Sequence, residues 1–355
     1  MAPTDRVLDL RDLLRPLLGA PMAGGPSNPD LAAAVTNVGG LGFLAGGYRT
    51  ADQLEEAIRD TTQRTTGPFG VNVFVPGDST CDPRSLDAYR SRLAPEAERL
   101  GAPLGTTRQD DDDYDRKIDV LISTAPAVAS FTFGVPALGV VRALRSAGVL
   151  VLVTVTSPVD ADRAVAGGAD ALVVQGPDAG GHRGTFAAAA ELDNRPLRDL
   201  LQSINQAHPD VPLVATGGLA SPGHVAQVLA EGALAAQIGT ALLLADEART
   251  SAVHRSALTD PRFTETVVTR AFTGRPARAL RNRFADAHSD SAPPCYPQVH
   301  QITAPLRAQA AAIGDPDTIH LWAGTQFTAA QPGPAADILR SLDPGRTNAT
   351  ERTRP

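Results

Sequence analysis

Aromatic side chains are scarce in this sequence: Phe, Trp and Tyr together make up 4% of its 355 residues. The core must therefore be assembled mostly from Ala, Val and Leu. Lysine is nearly absent, Lys117 being the only one, so arginine carries the basic charge. This is a compositional habit and not a phosphate-binding device. The net charge of −7 argues against a nucleic-acid binder, which normally shows a basic face.

Cys81 and Cys295 are the only cysteines; they stand far apart, in no metal-ligand spacing and with no His/Cys cluster around them. Both are expected as free thiols in a reducing cytosol, with no metal site. Long apolar runs are missing too. The greasiest stretch, 233–245, is broken by Gln237 and too short to cross a bilayer. Residues 1–15 carry charges where a secretory signal needs an apolar segment. A soluble, cytoplasmic protein is expected, with neither membrane nor nucleic acid as partner. Nucleophile elbows and Walker loops are likewise absent. The run Gly39-Gly40-Leu41-Gly42-Phe43 lies before and inside a strand pattern, so it fails as a dinucleotide fingerprint, which sits between strand and helix.

What the chain does have is alternation. Short apolar runs at 17–22, 41–45, 69–75, 128–133, 150–155, 171–174, 212–215 and 235–238 read as strands. Helical patterns stand between them at 29–37, 51–64, 136–147, 158–166, 195–206 and 222–230. This βα rhythm makes a parallel sheet, and eight strands is the number that closes a TIM (β/α)8 barrel. The barrel is expected from residues 1–75 and 125–245. The rhythm breaks at 76–124, which holds a helical pattern over 83–100 and an acidic run, Asp110 to Asp113. Four adjacent carboxylates repel one another, so the run reads as a solvated loop. With the irregular 246–342, this stretch is expected to form a smaller helical region beside the barrel mouth. Residues 343–355 read as a flexible tail.

The loop after the sixth strand, Gln175-Gly176-Pro177-Asp178-Ala179-Gly180-Gly181-His182-Arg183-Gly184, sets one histidine among glycines. Paired glycines let a backbone approach a flat ligand and take positive φ, and an imidazole titrates near neutral pH. His182 is the candidate catalytic residue. Arg183 either attracts an anionic substrate or meets a surface carboxylate. His208, His224, His254, His288, His300 and His320 read as surface or structural residues.

The turns after the seventh and eighth strands, Thr216-Gly217-Gly218-Leu219 and Gln237-Ile238-Gly239-Thr240, offer backbone amides near helix starts, where a phosphate binds. At the first strand, Ala20-Pro21-Met22 gives a backbone edge for an extended planar ring. Asn72 and Gln175 are amides in apolar strands and must find partners in the protein or in a ligand. A phosphate at the two glycine turns, with these amides around a flat ring, describes a flavin mononucleotide (FMN) site.

At this point the residues resemble the nitronate monooxygenase family, formerly called 2-nitropropane dioxygenases. The matching segments are Ala20-Pro21-Met22-Ala23-Gly24-Gly25, the run from Gly39 to Tyr48, Phe69-Gly70-Val71-Asn72-Val73-Phe74 and Ser130-Phe131-Thr132-Phe133-Gly134. The His182 loop, the two glycine turns, Gly274-Arg275-Pro276-Ala277-Arg278 and Trp322-Ala323-Gly324 continue the likeness in the same order. It covers most of the chain, is weakest over 76–124, and is most specific at Ala-Gly-Gly-His-Arg-Gly. The resemblance implies an FMN-dependent barrel that oxidises an alkyl nitronate, with O2, to a carbonyl compound and nitrite. It matches His182 to the family's catalytic histidine, which takes the α-proton of a neutral nitroalkane or stabilises a nitronate anion. It makes Met22, Asn72, Gln175, Gly180, Gly181, Gly217, Gly218, Gln237, Gly239 and Thr240 flavin contacts, with Ala20 and Pro21 beside Met22.

Two other functions fit the same residues. One is an FMN-dependent reductase of the enoyl-carrier-protein or quinone type, fed by NAD(P)H. The other is a barrel that binds a phosphorylated ligand without redox chemistry, and the yellow colour of bound flavin separates it from both enzymes. The sequence leaves self-association open.

Overall fold

Along Leu150–Val155 (β5) every residue after the first is buried, so both faces of the strand are covered, as a parallel strand between layers requires. The computed structural model describes residues 8–77 and 81–346. Its other barrel strands are Leu17–Gly19 (β1), Gly42–Ala45 (β2), Phe69–Phe74 (β3), Val128–Thr132 (β4), Ala171–Gln175 (β6), Leu213–Thr216 (β8) and Ala235–Ile238 (β9). They form one 8-stranded sheet in the order β1-β9-β8-β6-β5-β4-β3-β2, parallel throughout, and a parallel bridge between Leu18 and Leu41 closes the ring. The fold is the TIM barrel that the alternation implied.

Around the strands stand α1 (Pro29–Asn37), α2 (Ala51–Arg64), α5 (Tyr114–Thr124), α6 (Leu138–Ser146), α7 (Pro158–Ala166), α8 (Leu197–Ala207), α9 (Pro222–Ala230) and, late in the chain, α13 (Ala335–Leu342). Several start on a side-chain cap: Asn28 accepts from the amides of Asp30 and Leu31, Thr50 forms a capping box with Gln53, and Ser157 and Ser221 do the same work for α7 and α9. Each such cap is worth about 1 kcal/mol. No helix among the described residues is long and apolar enough to cross a membrane.

Residues two apart share a face of a strand, and this alternation positions the site. Val128, Leu152, Val173, Val214 and Ala235 belong to the apolar cluster inside the barrel. Two residues further along the same strands stand Ser130, Thr154, Gln175, Thr216 and Gln237, and Asn72 stands in the same layer of β3. The barrel interior therefore changes from apolar to polar toward the C-terminal ends of its strands. That is the end at which TIM barrels bind and react their ligands.

A second core lies over this mouth. It gathers Tyr89, Leu93 and Leu100 from α3 (Pro83–Arg92) and α4 (Ala94–Leu100) with residues of α10 (Ala252–Thr259), α11 (Arg283–His288) and α12 (Gln298–Ile313). A small sheet, β10 (Thr266–Thr269), β11 (Ala277–Leu280) and β7 (Gly181–His182), joins this region to the loop carrying His182. Tyr89 anchors the insertion by donating to the Ala271 carbonyl at 2.6 Å.

Several sequence expectations are corrected. The helix expected over 83–100 breaks at Leu93, because Pro95 has no N–H and its ring clashes with the preceding turn. The acidic run is a solvated loop only in its first half: Asp110 and Asp111 are exposed, whereas Asp112 and Asp113 are half-buried. Asp112 accepts from the Tyr48 amide at 2.9 Å and Asp113 from the Ala51 amide at 2.8 Å, at the start of α2, where unsatisfied amides favour a carboxylate. Asp112 also pairs at 2.7 Å with Lys117, which is fully buried on the unexpected α5. Cys81 and Cys295 are not free thiols: they form a disulfide, with Cα atoms 5.0 Å apart. They are distant only in sequence, since both belong to the region over the mouth, and the pairing removes the argument from free thiols to a reducing compartment. At the end of the chain Asp343 pairs with Arg15 and Pro344–Arg346 form a 3-10 turn. The rest of the expected tail, 347–355, lies outside the described residues, as do residues 1–7 of the charged N-terminal stretch.

Candidate active site

The polar layer opens into a cavity of ≈470 Å³. Ala20, Pro21, Met22, Asn72, Gln175, Gly180, Gly181, His182, Gly217, Gly218, Gln237, Gly239 and Thr240 all line it, so every candidate site residue read from the sequence meets in one place.

The His182 loop is pinned at each end. Gly181 has φ +74°, and a side chain at Gly180 would lie 2.5 Å from the Gly324 amide nitrogen, so glycine is required at both positions. Gln175 donates to the His182 carbonyl at 3.0 Å and accepts from the Gly184 amide at 2.9 Å. Both ends of its side-chain amide are thus committed to holding the loop. His182 itself pairs with Ala277 of β11. Its Nε2 lies 2.9 Å from Thr273 Oγ1, and the rings of Phe133, Tyr296 and Trp322 surround it. Burial, and then the cations Arg275 and Arg307, push its pKa down to about 3, so the imidazole is neutral at physiological pH.

Arg183 takes neither role expected of it. It is buried and donates to the Asp193 carbonyl at 2.9 Å. The cations that act on His182 were not legible. Arg275 sits 3.9 Å from the ring centroid of Phe133, a cation–π contact, and donates to the Thr185 carbonyl at 2.8 Å. Arg307 lines the cavity from α12 and donates to Nδ1 of His300 and of His320, each at 3.2 Å. Burial lowers both guanidinium pKa values to about 10, which leaves them charged at neutral pH. Among the described residues neither pairs with a carboxylate. Because His300 and His320 accept from a guanidinium, their Nδ1 atoms are unprotonated, and burial holds both rings well below the usual histidine range. His320 and His254 also line the cavity, so these three histidines belong to the surroundings of the site. His300, Thr303 and Arg307 fall at helical spacing on one face of α12, a signal that the sequence does carry.

The glycine turns that line the cavity suit an anion. Gly217 and Gly218 take φ +112° and +73°, and side chains there would lie 3.1 Å from the Ala179 nitrogen and 2.9 Å from Asp178 Cβ. The amides of Gly218 and Leu219 meet no acceptor among the described residues. Asn72 Nδ2 donates to Ser130 and Thr132, which leaves its Oδ1 toward the cavity, and the Gln237 side chain has no partner among the described residues. Thr240 Oγ1 accepts from the Gly324 amide at 2.9 Å and so ties the Trp322-Ala323-Gly324 segment to the turn.

Fold and site together define a (β/α)8-barrel enzyme that presents His182, as a neutral imidazole on a glycine-rich loop, to an electropositive cavity. The sequence model of the nitronate monooxygenase family matches residues 9–345. Nitronate monooxygenase of Pseudomonas aeruginosa is 38% identical over 96% of this chain and 98% of its own, and a probable nitronate monooxygenase of Staphylococcus aureus is 33% identical over 95% and 96%. Among solved structures, nitroalkane oxidase from Streptomyces ansochromogenes superposes with a TM-score of 0.92 at 44% identity, covering 96% of this chain and 99% of that one. FabK from Thermotoga maritima gives 0.73 at 25% identity over 97% and 96%. The chain belongs to the nitronate monooxygenase family and is a flavin-dependent oxidoreductase.

Proposed function

We propose that this enzyme uses FMN to oxidise an alkyl nitronate, supplied as such or formed from the neutral nitroalkane, with O2 to a carbonyl compound and nitrite. The observation that carries the reading is a neutral imidazole lining the cavity, acted on by two buried guanidinium groups that have no carboxylate partner among the described residues. A buried cation left unpaired is costly, and a bound anion offsets that cost.

FMN fits the residues present. The Gly217-Gly218-Leu219 and Gly239-Thr240 turns would hold its phosphate, and Asn72 and Gln237 its ring. When bound, FMN supplies the electron acceptor that returns electrons to O2. The chain's own side chains do the rest. With a neutral nitroalkane, His182 takes the α-proton as general base, and the field of Arg275 and Arg307 stabilises the nitronate as it forms. A preformed nitronate enters the same field and needs no base. The rings of Phe133, Tyr296 and Trp322 exclude water around the imidazole.

The test is the absorption spectrum of the flavin-loaded protein under anaerobic conditions. Addition of an alkyl nitronate should bleach the flavin rapidly, and NADH should not. Bleaching by NADH alone would replace this reading with that of a reductase.

A further inference from the structure

The two nitrogens of His182 are treated differently by the protein. Nε2 is committed to Thr273 Oγ1. Nδ1 has no hydrogen-bond partner among the described residues, and the side chain lines the cavity. Which nitrogen holds the proton therefore decides whether the cavity meets a lone pair or an N–H.

Thr273 settles the choice. Its hydroxyl, in a side chain only 2% exposed, has a single proton to donate. The Arg275 carbonyl lies 3.3 Å from Oγ1 and receives no other hydrogen bond among the described residues. The turn is rigid: the amides of Thr273 and Gly274 donate to the Arg270 carbonyl at 3.2 and 2.8 Å. Gly274, at φ +84°, has no room for a side chain, because a Cβ would lie 2.5 Å from the Cys295 carbonyl. With the Thr273 proton directed at Arg275, the hydroxyl oxygen is left to accept from His182 Nε2–H.

We propose that Thr273 is a positioning residue that fixes His182 as the Nε2–H tautomer and so presents the Nδ1 lone pair to the substrate. The opposite tautomer would present an N–H and could not take a proton. Its use in catalysis rests on the reading of His182 as the base for neutral nitroalkanes; the tautomer itself does not.

The experiment is nitrogen-15 NMR of the flavin-loaded enzyme labelled in histidine, with the His182 signals assigned by their loss in His182→Asn. Wild type and Thr273→Ser should show a protonated Nε2 and a bare Nδ1, and Thr273→Val a mixture of tautomers. A protonated Nδ1 in the wild type overturns the proposal. In parallel, Thr273→Val should lower kcat/KM for a neutral nitroalkane by about tenfold or more and leave a preformed nitronate within about twofold, with Thr273→Ser restoring most of the loss. Equal losses on both substrates, or none, would also overturn it. Should Thr273→Val not fold, the wild-type and Thr273→Ser spectra still decide. Full nitroalkane turnover in His182→Asn, beside the expected tautomer, would instead remove the base reading and leave the positioning intact.

Discussion

The guanidinium of Arg275 lies 3.9 Å from the ring centroid of Phe133, and the same Phe133 ring meets the His182 imidazole edge to face at 5.6 Å. Phe133 thus touches both a fixed cation and the His182 imidazole. The ring attracts the cation through its face. Phe133 has φ +77°, a strained backbone for a bulky residue, so the end of β4 gives up local stability to hold this arrangement.

Arg275→Gln removes one of the two cations and keeps the polarity. The KM for an alkyl nitronate should rise by about tenfold, the equivalent of ~1.4 kcal/mol of lost binding, while flavin content stays unchanged. Steady-state kinetics at saturating oxygen check this. An unchanged KM would mean that the cation serves only the protein.

His182→Asn separates the two forms of the substrate. Turnover of a neutral nitroalkane should fall by about a hundredfold or more, and that of the preformed nitronate far less. In the wild type, with His182 held at about 3, the imidazole stays unprotonated on either side of pH 6.5. Activity on the neutral substrate should therefore persist to well below that pH. A loss of activity centred on pH 6.5 would contradict the depressed value.

Gly218→Val should produce a folded protein that releases its flavin. The position has φ +73°, and a Cβ there would lie 2.9 Å from Asp178 Cβ, so both the backbone and the neighbouring loop would have to shift. The readout is the flavin-to-protein absorbance ratio after gel filtration. A normal ratio would exclude this turn from cofactor binding.

What was legible in the sequence was local. The strand at Leu150–Val155 and the helices at Pro29–Asn37 and Ala51–Arg64 lie where periodicity put them, because buried parallel strands and amphipathic helices leave their pattern in adjacent residues. Asn72 and Gln175 stood out as amides in apolar strands for the same reason. Arg307 and Thr273 did not stand out, and Arg275 only as part of a family-like segment, because each acts on His182 from far along the chain, Thr273 by a hydrogen bond and the arginines by charge. The β7–β11 pairing that sets His182 against Ala277 has too few residues to show a period. The disulfide was missed likewise, since nothing near Cys81 marks Cys295 as its partner.

That disulfide ties the segment before α3 to the segment before α12, next to Tyr296. Thiol titration of the denatured, unreduced protein should find no free cysteine. Cys81→Ser should lower stability by about 2–4 kcal/mol through the gain in freedom of the unfolded chain, read as a fall in Tm that reducing agent reproduces in the wild type. Two free thiols at the outset would refute the pairing.

Glu96 gives the fold its own acid response. It is buried, accepts from both terminal nitrogens of Arg283 and from Arg99 at 3.0 Å, and lies 3.3 Å from His288 Nε2. Its pKa falls to about 2 despite burial, which pulls the other way, because the hydrogen bonds from Arg283, Arg99 and His288 outweigh it. A carboxylate whose pKa is lower in the folded than in the unfolded state contributes stability that is complete above its unfolded value, near 4.3. That contribution is lost as the pH falls toward 2. The lowering corresponds to at most about 3 kcal/mol. Wild-type Tm should therefore fall between pH 4.5 and 2.5 more steeply than that of Glu96→Gln, which is less stable at pH 7 and has no carboxylate to protonate there. Parallel Tm curves for the two proteins across that window would show that the cluster contributes nothing to the acid response.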